Sequence, residues 1–111
     1  MICDWGDVAV VPFPLVEREI AKRRPALVLS RRAFNEDNAH TLFAMITTGA
    51  RSSWGSDLVL TDWAAAGLSH RSLVRWKVFT LPNVLILRVA GALSETDRAA
   101  AAAAVRAILS Q

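Results

Sequence analysis

The chain has a single cysteine, Cys3, and only two histidines, His40 and His70, among 111 residues. A lone cysteine closes no internal disulfide, and no Cys/His spacing of the kind that holds zinc is present. No apolar run approaches the ~20 residues that carry a helix across a bilayer. Carboxylates do not gather at metal-binding spacing, so chemistry on a pair of bound metal ions is not expected. The first residues include Asp4 and Asp7 and no basic leader ahead of an apolar stretch, which is not the pattern of a secretory signal. Charged residues are 21% of the chain and hydrophobic ones 53%, a balance that excludes disorder. There is no internal repeat, and the one biased segment is an alanine run that simply forms helix. These absences leave one domain with one core, free of metal and cofactor, outside the membrane and expected in the cytoplasm.

What is present is arginine. Of the thirteen cations, eleven are arginine and two are lysine, for a net charge of +3. Arginine suits bidentate recognition of phosphate and carboxylate and stacks on bases. The same bias also follows from a GC-rich coding sequence, so composition alone leaves nucleic-acid binding open. The densest stretch is Ala21-Lys22-Arg23-Arg24-Pro25-Ala26-Leu27-Val28-Leu29-Ser30. A proline at 25 disfavours helix at Arg24, and the apolar run behind it reads as a strand that anchors this arginine.

Along the chain, Trp5-Gly6-Asp7 reads as a turn and Val8–Phe13 as a first strand, with Pro12 and Pro14 marking a rim or an edge. Leu15–Arg23 is expected to be a charged loop, and 25–30 a second strand. The polar segment 31–39 can hold one helical turn. In the third strand, 41–47, alternation puts Thr41, Phe43, Met45 and Thr47 on one face and Leu42, Ala44 and Ile46 on the other. A second irregular loop runs from Thr48 to Ser56, followed by a short strand over 57–60. The segment 62–67 reads as a short helix capped by Thr61 or Asp62 and closed by Gly67. A long strand over 72–81 sets Leu73, Arg75, Lys77 and Phe79 on one face, and a last strand over 84–92 carries Arg88. Ser94 then caps the one long helix, whose Ala101, Val105, Ile108 and Leu109 form a core-facing stripe. Short strands with rim loops and one terminal helix indicate a small, mainly β barrel, whose edges favour a homodimer.

Several pieces, in this order, resemble the MazF/PemK family of toxin–antitoxin toxins: Gly6-Asp7-Val8 with Val11-Pro12-Phe13, Arg24-Pro25-Ala26-Leu27-Val28-Leu29-Ser30, Ile46-Thr47-Thr48, Leu60-Thr61-Asp62-Trp63 with Ala66-Gly67-Leu68, Ser72-Leu73-Val74-Arg75, and Gly91-Ala92-Leu93-Ser94. The resemblance spans nearly the whole chain. It implies a small SH3-like barrel of the PemK/MazF/CcdB type with a C-terminal α-helix. It also implies endoribonuclease activity on single-stranded RNA, a homodimer, and a cognate acidic antitoxin that occludes the basic groove. Carried across, the arginine before proline falls on Arg24, its threonine partner on Thr47, and a glutamate of the preceding loop on Glu19. Some members have an Arg-x-Asp pattern on a later strand. Here Arg75 matches the arginine, but Lys77 stands in place of the acid, so that acid's role is absent or filled elsewhere.

Metal-free cleavage of RNA requires a base for the 2′-OH, an acid for the leaving 5′-oxygen, and donors for the non-bridging oxygens. Arg24 and Thr47 are the candidate donors, with Arg75 as a third. Arginine is a poor base because its pKa lies above ~12, which makes Glu19 the better candidate. His40 and His70 titrate in a suitable range but match no motif residue. Candidate RNA contacts are Lys22, Arg23, Thr48, Arg51 and Lys77, with Arg18 on the same rim and Trp54 as a base-stacking platform. The alternative for Trp54 is an indole folded back on the barrel. Trp63 is expected in the core, and Trp5 and Trp76 in packing or a dimer interface. Two other readings compete. One is a CcdB-like toxin that poisons DNA gyrase, although the terminal Trp-Gly-Ile of those proteins is replaced here by Leu109-Ser110-Gln111. The other is a family member that binds RNA or a partner without cutting.

Overall fold

The computed structural model describes residues 1–13, 22–48, 51 and 53–109. Its elements are β1 (Asp7–Phe13), β2 (Lys22–Val28), α1 (Arg32–Asn38), β3 (His40–Thr48), β4 (Leu58–Val59), β5 (Ser72–Pro82), a 3-10 turn (Asn83–Leu85), β6 (Arg88–Ala92) and α2 (Glu95–Ile108). The strands pair antiparallel in the order β4-β5-β3-β2-β1-β6 and curl into a half-barrel, the mainly β architecture with a terminal helix that the sequence indicates. Alternation along the strands feeds two cores. Val8, Leu27, Ala44, Ile46, Val74 and Trp76 pack with Ala101 of α2, whereas Ala9, Val11, Ala26, Val28 and Phe43 pack with Cys3 and Ile86. The alternation expected for β3 therefore holds, with Phe43 in one core and Ala44 and Ile46 in the other.

Several boundaries differ from the sequence reading. Lys22 and Arg23 lie within β2 rather than in a loop, paired with Phe13 and Pro12 of β1. Pro25 sits inside the strand opposite Val10, where the ladder to β3 has not yet begun; that ladder starts at Ala26. A residue without an N–H is tolerated where the strand has a neighbour on one side only. The expected last strand shortens to Arg88–Ala92, because Asn83 is buried and fixes a turn ahead of it. Asn83 accepts from Thr41 Oγ1 at 2.7 Å, and its amide donates to the Asn35 carbonyl at 2.7 Å. In β5 the register slips: Ala44 faces Val78 but Met45 faces Arg75, leaving Trp76 and Lys77 as a bulge. Such a bulge bends the strand and re-aims its side chains.

The segment 62–67 forms consecutive turns rather than a helix. Leu68 N–H donates to Trp63 O at 3.1 Å and Gly67 N–H to Ala64 O at 3.0 Å, with Gly67 at φ +80°. That pairing is the usual helix-terminating motif, here closing a segment too short to be a helix. Its leading N–H groups are capped from a distance, since the Asp97 carboxylate accepts from Thr61 N at 2.9 Å and Asp62 N at 2.8 Å. Ser94 caps α2 by accepting from Asp97 N at 3.2 Å, as expected. Of the expected stripe on α2, Ala101 is buried and Val105 packs on the core. Ile108 and Leu109 are 46% and 61% exposed and line an apolar cleft with Leu42, Trp76 and Val78 of the sheet.

Candidate functional site

The strand register decides which cations share a face. Residues directly opposed across an antiparallel pair project to the same side, and alternate residues return to it. Arg24 opposes Val11 of β1. Two residues further on, Ala26 opposes Met45 as the first pair of the β2–β3 ladder, and alternation along each strand puts Arg24 and Thr47 on the face of that pair, beyond the ladder's end. Met45 in turn opposes Arg75 of β5. One face of the sheet thus carries Arg24, Thr47, Met45 and Arg75 across three neighbouring strands. Arg24 is exposed and Thr47 half-buried, with Val28 and Phe43 of the same face buried beyond them as a floor.

Arg23 projects to the other side, with Pro25 and Val10. There it meets a cleft of about 420 Å³ lined by Arg23, Arg24, Arg88, Thr48, Ser69 and Leu87. Arg88 faces Val10 across the β1–β6 ladder, which carries it toward the β2 cations. Among the described residues, Arg23, Arg24 and Arg88 form no ion pair with a carboxylate. Lys22 is exposed at the start of β2, and Arg51 is exposed in the connection after β3.

Arg75 is placed differently. Its Nε donates to Asp57 Oδ1 at 3.1 Å, and its Nη2 donates to Asp57 Oδ2 and to Ser53 Oγ, each at 2.8 Å. Asp57 Oδ2 also accepts the backbone N–H groups of Ser53 at 3.0 Å and Trp54 at 3.1 Å. The Arg75 hydrogen bond, against the opposing effect of burial, holds the Asp57 carboxyl far below the usual carboxylate range. Arg75 is thus paired with an acid, Asp57, that comes from the turn ahead of β4 rather than from position 77. Trp54 is 41% exposed, with Arg75 Cζ 5.7 Å and Lys77 Nζ 5.6 Å from its ring centre, a cation–π arrangement.

The remaining candidates separate clearly. Glu19 and Arg18 lie outside the described residues. His40 begins β3 and lies seven residues from Thr47, about 23 Å along the strand, so it cannot serve a phosphate held there. His70 is exposed just before β5, with Nδ1 2.8 Å from Ser69 Oγ. Trp63 and Trp5 pack on the first core, and Trp76 is buried with its indole N–H donating to Ser56 O at 2.8 Å. Cys3 is 1% exposed and burial pushes its thiol up, which makes it a poor nucleophile. Among the described residues, no group of three or more His, Cys, Asp or Glu could hold a metal ion.

The sequence reading missed two residues. Asp57 was assigned to a strand rather than to the site, since nothing local links it to an arginine eighteen positions away. Arg88 was noted only as a cation within a strand; a charged side chain in an apolar strand was the available signal. Arginines beside hydroxyls, with aromatic surface nearby, form a surface suited to a phosphodiester chain.

A family model for PemK-like, MazF-like toxins of type II toxin–antitoxin systems matches residues 4–109. Comparison with curated protein sequences returns no match. Among solved structures, a MazE–MazF complex from Deinococcus radiodurans superposes with a TM-score of 0.76 at 19% identity, covering 100% of this chain and 98% of that one. The Mycobacterium tuberculosis toxin MazF-mt6 gives a TM-score of 0.70 at 24% identity, covering 89% and 91%. A mycobacterial endoribonuclease in complex with its cognate antitoxin gives 0.69 at 17% identity, covering 99% and 97%.

Proposed function

The chain belongs to the PemK-like, MazF-like family of toxins of type II toxin–antitoxin systems, and we propose that it is an endoribonuclease that cuts single-stranded RNA without a metal ion. The observation that carries this reading is the shared face of Arg24 on β2 and Thr47 on β3, with Arg24 free of any ion pair among the described residues. RNA supplies its own nucleophile. Its 2′-OH loses a proton, its oxygen bonds to phosphorus, and the 5′-oxygen leaves with a proton, giving a 2′,3′-cyclic phosphate and a free 5′-OH. Negative charge builds on the non-bridging oxygens, where the Arg24 guanidinium and the Thr47 hydroxyl are the donors. Glu19 is the proton acceptor in this reading, and Glu19→Gln is then expected to slow cleavage of a defined RNA. Lys22, Arg23, Thr48, Arg51 and Arg88 hold the flanking phosphates.

The same cations suit an acidic partner. Two related toxins are solved with antitoxins, a MazE–MazF complex and an endoribonuclease with its cognate antitoxin. We assign this chain an acidic antitoxin that covers its basic surface. A homodimer is part of the reading, supported by the sheet edges β4 and β6 and by exposed apolar side chains at Val78, Val84 and Leu87. A cytoplasmic site of action is part of the reading; among the described residues no helix is long and apolar enough to cross a membrane. The matched family does not favour the gyrase-poisoning alternative.

The deciding experiment incubates purified protein with a long RNA in EDTA and maps the new ends. Recurrent cuts at a short motif are expected, with a ~10²–10³-fold loss of rate for Arg24→Ala. Intact RNA together with growth arrest on expression would refute the enzymatic reading.

A further inference from the structure

The sequence offers Arg75 as a third donor to the scissile phosphate, but its guanidinium is already engaged inside the protein. Three of its N–H groups point at Asp57 and Ser53, and the side chain of Asp57 is wholly buried while that of Arg75 is 13% exposed. Turning toward a phosphate would strip a buried carboxylate of its cation, which is strongly unfavourable. The segment it holds is pinned at further points. Asp57 N–H donates to Trp54 O at 3.0 Å, and the buried indole of Trp76 donates to Ser56 O. All of this fixes a short turn whose largest side chain, Trp54, is left 41% exposed. The β5 bulge adds the last part by aiming Lys77 at the same ring.

We infer that Arg75 is a positioning residue: through Asp57 and Ser53 it presents the Trp54 indole as a stacking face for one unpaired base of the RNA, with Lys77 on the adjoining phosphate. Stacking on an indole is tolerant of base identity, and selectivity then comes from the rigid edges around it. Arg75 lies two strands from Arg24, about 10 Å across the sheet, the place of a flanking nucleotide rather than of the phosphate being cut. This inference rests on the endoribonuclease reading and deepens it by naming how the substrate is held beside the cut.

The test measures kcat and KM on single-stranded RNA oligomers that differ only at the bases flanking one cut. Trp54→Ala is expected to raise KM about 5- to 150-fold with kcat within about twofold, the range of one lost base stack. Arg75→Lys and Asp57→Asn should show the same split and lose preference at the same flanking position, whereas Trp54→Phe should largely retain both. In a Trp54→Ala background, Arg75→Lys should add no more than about twofold, since both act on one contact. A fall in kcat for Arg75→Lys that matches Arg24→Ala and persists without Trp54 would overturn the inference and make Arg75 a phosphate ligand. A kinetically silent Trp54→Ala would overturn it too, with the endoribonuclease reading intact. If the wild type cuts no RNA, that reading fails alone, and 2′-deoxy oligomers still test the platform. Tryptophan quenching lost in Trp54→Phe supports it, and equal quenching in both proteins refutes it.

Discussion

Asp97 provides the sharpest test of how the terminal helix is tied to the barrel. Its side chain is 1% exposed and joins α2 to the 61–67 turns through two backbone donors, Thr61 N–H at 2.9 Å and Asp62 N–H at 2.8 Å. In Asp97→Ala both bonds vanish, while Ser94 still donates to Asp62 Oδ2 at 2.6 Å. A hydrogen bond to a charged group contributes ~1.5–3 kcal/mol, so two set a ceiling of about 6 kcal/mol. Thr61 is exposed and Asp62 half-buried, so water recovers part of that loss. The expected destabilisation is therefore ~2–4 kcal/mol, with ~0.3–1 kcal/mol of it from losing an acid in the first turn of α2. At about 2.1 cal/mol/K per residue, the unfolding entropy of this chain turns that into a Tm lower by roughly 9–17 °C. Asp97→Asn keeps one acceptor and should fall between the two. Reversible urea and thermal unfolding followed by circular dichroism are the assays. An alanine variant within ~0.5 kcal/mol of wild type would refute the bridging role, since that is the range of an ordinary surface substitution.

Three further outcomes follow from other contacts. Gly67→Ala combines a φ of +80° with a Cβ that would lie 2.1 Å from Ala90 O. It should destabilise by more than ~2 kcal/mol, whereas Gly55→Ala, whose Cβ meets nothing within 4 Å, serves as a near-neutral control in the same unfolding assay. Asp57 has its folded pKa lowered by Arg75, so its contribution is complete above the unfolded carboxylate pKa of ~3.9 and is lost as pH falls through the folded value. The stability gap between wild type and Asp57→Asn should therefore be constant from about pH 7 to 5 and narrow below about pH 4; a gap that widens in acid contradicts the ion pair. Arg23→Ala and Arg88→Ala should each weaken RNA binding and reduce the salt slope by ~0.7 with kcat unchanged, as read from titrations at several salt concentrations.

Elements governed by neighbours in the chain were legible in the sequence. Alternation placed Phe43 and Ala44 in opposite cores, and Ser94 before two acidic residues marked the start of α2, because side-chain period and helix capping are properties of a few consecutive residues. The pair Arg24-Pro25 likewise announced an arginine held on extended backbone, and the spacing to Thr47 matched a family pattern. The 62–67 segment, by contrast, has helix-forming residues but no room to continue, since Gly67 presses against Ala90 of β6. The two-residue bulge at Trp76 and Lys77 arises from how β5 meets β3, and no property of β5 alone announces it. Asp57 finds Arg75 only once β4 and β5 pair, and Arg23 and Arg88 line one cleft only because both strands flank β1. The sequence by itself thus announced the strands and the long helix, though not all of their bounds, and the arginine before the proline, since each rests on local chemistry. Which cations face one another, and which is already held by a carboxylate, was decided by the tertiary structure, because those contacts join residues that only strand pairing brings together.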